Sequence, residues 1–241
     1  LAYDWDNSGF LVGDKNKEVK KVLLTLDTNI NTVDEAIKNN VDMIVSHHPL
    51  FFKGIKNIDY STPQGQLILK LIKNDIALYC AHTSMDCAKG GINDILANKL
   101  GIENPEVIEK NESFDGCGLG RIGKISREMT LKEYAEFVKE NLNTPFVRVS
   151  GDFNKKIKVS AVGGGACDDL IPDAIKIGAD VLVTADMKYH IAQGAVCDGL
   201  CIIDAGHYPT EVFVTDIFEK IVAGLGLEIY KSTHKDIFNV I

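Results

Sequence analysis

Histidines and carboxylates gather where the apolar runs of this chain end. Met43-Ile44-Val45 leads into Ser46-His47-His48-Pro49, and residues 76–80 lead into His82 and then Asp86. Residues 181–184 lead into Asp186, and residues 200–204 into His207 and Glu211. Neutral imidazole is a common ligand for divalent metals. Taken alone, His47-His48 is either a pair of ligands or a surface pair ahead of a proline turn. A closed structural zinc site needs only four donors, commonly with cysteine. Here the donors are more numerous, mix nitrogen with oxygen, and come without any C-x-x-C pair. That set suits zinc, manganese, iron or cobalt and favours a two-metal site with positions left for water or substrate. Two cations roughly 3.5–4 Å apart bridge a hydroxide, lower its pKa and clamp a reacting oxygen.

Strands must deliver these groups. Residues 20–26, 41–45 and 76–80 read as strands, with a helix through Val33, Ala36 and Ile37 and others over residues 66–73 and 92–100. Asp27-Thr28-Asn29 carries turn and N-cap chemistry. The βαβαβα order predicts a largely parallel sheet covered by helices. In such sheets ligands gather beyond the carboxyl ends of the strands. Of the six histidines, only His190 and His234 lie off these ends. Residues 102–124, rich in Gly and Asn, read as a linker. Thr130 reads as the N-cap of a helix over 131–142, and strands follow over 146–149, 156–162, 181–184 and 200–204. A helix over about 211–223 and a strand over 227–231 close the pattern. Gly163-Gly164-Gly165 lacks both G-x-G-x-x-G and a P-loop lysine, and reads as a close-packing turn. Trp5, the one tryptophan, reads as a packing anchor.

The two halves resemble each other. Asp42-Met43-Ile44-Val45-Ser46 matches Asp180-Val181-Leu182-Val183-Thr184 at an offset of 138 residues, and His82-x-x-x-Asp86 is echoed by His207-x-x-x-Glu211. The expectation is α/β: two similar domains related by internal duplication. The first spans 1–110 and could include the C-terminal strand; the second spans 111–241.

Composition bounds the partners. The chain has 241 residues and a net charge of −8, which argues against a sequence-independent grip on nucleic-acid phosphates. Its apolar runs are too short for a membrane span, and no signal peptide precedes the first strand. The six cysteines read as buried or incidental thiols of a reducing cytoplasm. The chain begins at Leu1 without Met, which predicts a short segment upstream.

His47-His48-Pro49, the segment from His82 to Asp86, Thr184-Ala185-Asp186-Met187-Lys188-Tyr189-His190 and Asp204-Ala205-Gly206-His207-Tyr208-Pro209-Thr210-Glu211 resemble the motifs of the Nif-three-like family, whose members carry the name GTP cyclohydrolase 1 type 2 homologue. Trp5-Asp6-Asn7-Ser8-Gly9 also fits. The resemblance implies two α/β domains with a dinuclear metal site in the cleft between them. It implies His47, His48, Asp86, His207 and Glu211 as ligands, with Glu211 touching both ions. It further implies a ring-shaped homohexamer and metal-dependent hydrolysis, including GTP ring opening. Some members insert a small domain mid-chain, for which the span between Gly120 and Lys156 leaves no room.

For Asp86 the plain alternative is a helix cap. His82 could ligate, donate to a ligand or fill a strand end; the second is favoured. His190 is the candidate general acid or base, alongside His82, with Asp186 and Lys188 placed to orient it or bind substrate. The expected activity is a hydrolase acting on a small molecule, a nucleotide or related heterocycle, through a metal-bridging hydroxide. The alternative is a non-catalytic metal-binding, metal-delivery or interaction protein.

Overall fold

The computed structural model describes residues 1–240. In chain order it begins with strands β1 (Gly9–Val12) and β2 (Lys21–Thr25), helix α1 (Ile30–Lys38), β3 (Met43–Ser46), α2 (Pro63–Lys73) and β4 (Ala77–Cys80). Then come α3 (Thr83–Cys87), α4 (Ile92–Lys99), β5 (Ile102–Lys110), β6 (Gly118–Thr130), α5 (Leu131–Asn141), β7 (Arg148–Ser150) and β8 (Lys156–Val162). The remainder is α6 (Ile171–Ile177), β9 (Val181–Thr184), α7 (Tyr189–Cys197), β10 (Cys201–Asp204), α8 (His207–Glu211), α9 (Val214–Val222) and β11 (Glu228–Lys231). Among the described residues no helix is long and apolar enough to cross a membrane.

The chain divides into two compact units. One comprises Ala2–Met85 and Val212–Lys235. Its sheet runs β1-β4-β3-β2-β11, parallel except for β1 at one edge. Leu23, Val33, Ile44, Leu71 and Leu78 are fully buried and bind helices to sheet. Asn29 caps α1, its side chain accepting from the amides of Asn31 and Thr32.

The body of the other unit is Asp86–Glu211. Its mixed sheet runs β5-β6-β8-β9-β10-β7, with β8, β9 and β10 parallel and the other pairs antiparallel. Val181 to Thr184 are buried throughout, as befits a strand covered on both faces. Thr130 caps α5 in a capping box with Glu133.

Residues read as a linker instead form β5 and the start of β6, a long antiparallel pair. Pro105 is tolerated because β5 is an edge strand with an irregularity between Glu103 and Glu106. Gly118 is a packing requirement: a Cβ there would lie 2.0 Å from the Glu109 carbonyl oxygen.

The two units share one local device. The carboxylate of Asp42 accepts from the amides of Lys20 and Lys21 at 2.8 and 2.9 Å. Asp180 does the same for Lys158 and Val159, at 2.8 and 2.9 Å. Each carboxylate, just ahead of one strand, ties that strand to the backbone of its neighbour.

Candidate metal centre

His47 and His48 follow β3 directly. Their amides still hydrogen-bond to the end of β2: His47 to the Thr25 carbonyl at 3.2 Å and His48 to that of Leu26 at 2.9 Å. The backbone of the pair is therefore held while the strand's strict alternation has ended. The two rings lie 4.9 Å apart, and the His82 ring beyond β4 lies 5.2 Å from His47 and 5.8 Å from His48. One ring nitrogen from each comes within 4.8 Å of the others, a group that could hold a metal ion.

Each imidazole has its Nδ1 committed. His47 Nδ1 donates to the Ala81 carbonyl at 2.9 Å, His48 Nδ1 to Asp27 at 2.7 Å and His82 Nδ1 to Asp6 at 2.9 Å. A carbonyl or carboxylate acceptor fixes the tautomer and suits Nε2 to a metal. Burial and the neighbouring His47 imidazole push the His82 pKa down, with Asp6 opposing.

Asp27, which the sequence presents as a turn residue, is the support of His48. Its other oxygen accepts from His234 Nε2 at 3.1 Å, and His234 Nδ1 accepts from the Asn29 amide at 3.2 Å. Burial opposes charge on Asp27, but the hydrogen bond and charge of His48, then His234, hold its carboxyl below the usual range. Asp27→Asn is expected to weaken metal binding about 10–100-fold, read by competition with a chelator, because an amide can present its N–H to His48 and turn the ring.

Asp6 supports His82 in the same way. Burial opposes its charge, yet hydrogen bonds from Ser8, Thr83 and His82 prevail and hold its pKa at about 2, below the ordinary 3.8. A depressed carboxyl stabilises the fold above its unfolded pKa and loses that contribution as pH falls through the folded one. Urea titrations of the metal-free protein should therefore find wild type more stable than Asp6→Asn above about pH 4, with the gap closing as pH approaches 2.

In the other unit, His207 and Glu211 occupy α8. His207 Nε2 lies 3.1 Å from Glu211 Oε2, and His207 Nδ1 donates to Asp186 at 2.6 Å. Asp186 thus orients His207. Glu211 is 3% exposed. Both donor atoms face Gly165, in the left-handed region at φ +64°, where a Cβ would lie 2.3 Å from Glu211 Oε1 and 2.9 Å from His207 Nε2. The glycine turn is a close-packing turn with a function: its backbone leaves room for ligand atoms. Its amides already donate within the protein, Gly163 to the Val183 carbonyl, Gly164 to Asn93 and Gly165 to Thr210.

Asp86 is buried within α3 rather than capping α4, whose N-cap is Gly91. The Asp86 carbonyl accepts from the Asn93 side chain at 3.0 Å, so Asn93 links it to Gly164. Buried Cys167 lies nearby. Burial first, then the Asp86 and Glu211 carboxylates, push its thiol well above the usual range, which keeps it protonated. His190 stands exposed on the first turn of α7 and belongs to none of the metal-capable groups among the described residues.

Sequence reading missed Asp6, Asp27, His234 and Gly165 as working parts. The available signal for Asp27 was its place just past the end of β2, like the histidines past β3.

The model of the family described as Duf34/NIF3 (NGG1p interacting factor 3) matches residues 1–236. The chain belongs to this family. A Clostridium acetobutylicum relative named GTP cyclohydrolase 1 type 2 homolog is 39% identical over 212 residues, covering 88% of this chain and 79% of its own. Among solved structures, a hypothetical protein of Staphylococcus aureus is similar at a TM-score of 0.91 and 32% identity, covering 100% of this chain and 93% of that one. A Bacillus cereus protein related to NIF3 is similar at 0.90 and 30%, covering 100% and 94%. In this Duf34/NIF3 protein the His/Glu/Asp clusters are the groups able to bind metal.

Proposed function

We propose that His47, His48, Asp86, His207 and Glu211 would hold two divalent cations and that the protein is a hydrolase acting on a nucleotide or related heterocycle. The observation that carries this reading is the common support of His47, His48 and His82, each donating Nδ1–H to a fixed acceptor. Packing alone does not require three imidazoles in the same tautomer with converging nitrogens. The room left by Gly165 beside Glu211 and His207 is a second mark of fit. The name of the clostridial relative supports the choice of reaction.

When bound, the cations supply Lewis acidity and lower the pKa of water at the reacting centre. The protein's own groups do the rest. Asp27, Asp186 and the Ala81 carbonyl hold ligand imidazoles in one tautomer. His82, which burial holds toward its neutral form, and exposed His190 are the groups that would serve as general base or acid. The matched roles of Asp42 and Asp180 support an internal duplication. A homohexameric ring is part of the proposal; light scattering should return six times the chain mass.

The test is reconstitution with zinc, manganese, iron or cobalt, followed by GTP turnover. His190→Ala should lose rate and keep metal. A protein with two bound ions that hydrolyses no nucleotide and no heterocyclic amide would overturn the hydrolase. The exposure of His190, outside every metal-capable group, favours a second reading, a metal-binding or metal-delivery protein. That reading expects exchangeable metal, no turnover and indifference to His190→Ala.

A further inference from the structure

Trp5 is not the packing anchor its uniqueness suggests. It is 62% exposed, with its ring stacked on Tyr3 at 5.7 Å and 11°. Phe52, 52% exposed, lies in the loop after the histidine pair. Both rings meet His82 near the perpendicular, Trp5 at 6.2 Å and 77°, Phe52 at 5.5 Å and 73°. His82 in turn lies 5.2 Å from His47. Two solvent-facing aromatic surfaces therefore stand one ring away from the imidazole group.

The segments bearing these rings are anchored. Asp6 N–H closes a turn onto the Tyr3 carbonyl at 3.0 Å, and Tyr3 N–H donates to Thr83 at 3.1 Å. Asn7 donates from its side-chain amide to the Phe51 carbonyl at 2.6 Å, joining the Trp5 segment to the Phe52 loop. Asp6 is itself bound by Ser8, Thr83 and His82. The exposed aromatic faces stand on anchored backbones, so little ordering remains to oppose a ligand.

We infer that Trp5 and Phe52 form the recognition surface for the planar nitrogen heterocycle of a nucleoside or nucleotide, stacking its base beside His82. An exposed aromatic face attracts any flat π-system, and stacking tolerates variation in ring substituents. Lys53, directly after Phe52, and Lys56 are exposed cations on the same loop, of the kind that attract phosphate in an otherwise acidic protein. The inference rests on the proposed two-metal reading only for which atom of the bound heterocycle reacts.

The experiment uses the single tryptophan as its reporter. The metal-loaded 241-residue chain, excited at the red edge of tryptophan absorption, is titrated with guanosine, GTP and inorganic triphosphate. Guanosine and GTP should quench Trp5 saturably, and triphosphate should not. By calorimetry, Trp5→Leu and Phe52→Leu should each weaken guanosine binding about tenfold, while Trp5→Phe keeps most of the affinity. Metal content should stay at the wild-type level in all three variants. Quenching by triphosphate alone, no quenching, or leucine variants that bind guanosine as wild type does would overturn the inference. So would a change in subunit number with guanosine affinity intact, which would make the aromatic face a contact between copies. Guanosine binding without turnover would sink the hydrolase and leave this surface standing. Turnover with an unchanged KM in both leucine variants would sink the surface alone.

Discussion

Gly165→Ala is expected to cost metal affinity on the order of 100-fold while the metal-free fold survives. The added methyl meets the ends of two side chains, Glu211 Oε1 at 2.3 Å and His207 Nε2 at 2.9 Å. Side-chain ends can swing away, so the clash costs folding little. Those ends are the proposed ligand atoms, so swinging away costs the site its geometry. The backbone cannot yield instead. Gly165 N–H donates to Thr210 at 3.1 Å, and its carbonyl accepts from Ala185 N–H at 2.8 Å and the Thr184 hydroxyl at 2.9 Å. Alanine at positive φ adds about 1–2 kcal/mol of strain, a fall in melting temperature of roughly 2–8 °C for a chain of this size. Gly178→Ala is the control. Gly178 ends α6 at φ +93° with nothing within 4 Å of a Cβ, so it should share the melting shift and leave metal binding alone. Metal content after dialysis and chelator competition read the difference. A Gly165→Ala protein that binds metal as well as Gly178→Ala would remove His207 and Glu211 from the ligand set.

The contrast between these glycines marks where sequence reading stops. Both lie near strand or helix ends at positive φ. Only Gly165 has two functional side chains pointed at its missing Cβ, and one of those, Glu211, is 46 positions away. The strands were legible because Met43-Ile44-Val45 and Val181-Leu182-Val183 are apolar runs of strand length, and each delivers polar groups where it ends. His47 and His48 could therefore be placed at a strand tip from pattern alone. Their supports could not. His47 with the Ala81 carbonyl and His48 with Asp27 are pairings across 34 and 21 residues, and periodicity carries no information about such partners. The β5–β6 pair was hidden for another reason. Its glycines, asparagines and charges have loop composition, while the structure uses Gly118 to let two strands approach. The single helix read over about 211–223 is instead α8 and α9, with Glu211 ending the first.

Asp94→Ala is expected to destabilise the fold by about 3 kcal/mol. Arg121 on β6 is 1% exposed. Its guanidinium pairs with Asp94 on α4 through Nε, and donates to the Gly118 carbonyl at 2.7 Å, the Gly120 carbonyl at 2.9 Å and the Ala88 carbonyl at 3.4 Å. Removing Asp94 leaves the hydrogen bonds to neutral carbonyls in place and takes away the only anion among them. A buried cation without its counter-charge costs far more than the pair contributes over an apolar substitute. Asp94 is itself 21% exposed, so entering water tempers the loss and sets the estimate at the low end of the usual 3–5 kcal/mol. The melting temperature should fall on the order of 10 °C. Asp94→Asn keeps an acceptor for Nε and should lose less. The consequence reaches the candidate metal centre because Asn93 is the next residue on α4. Its side chain holds the Asp86 carbonyl and the Gly164 amide. A loosened α4 start should therefore weaken metal binding in Asp94→Ala even at temperatures where the protein remains folded. Chelator competition well below the melting transition separates the two effects: a variant of lowered melting temperature with wild-type metal affinity would show that the ion pair serves the fold and leaves Asp86 untouched.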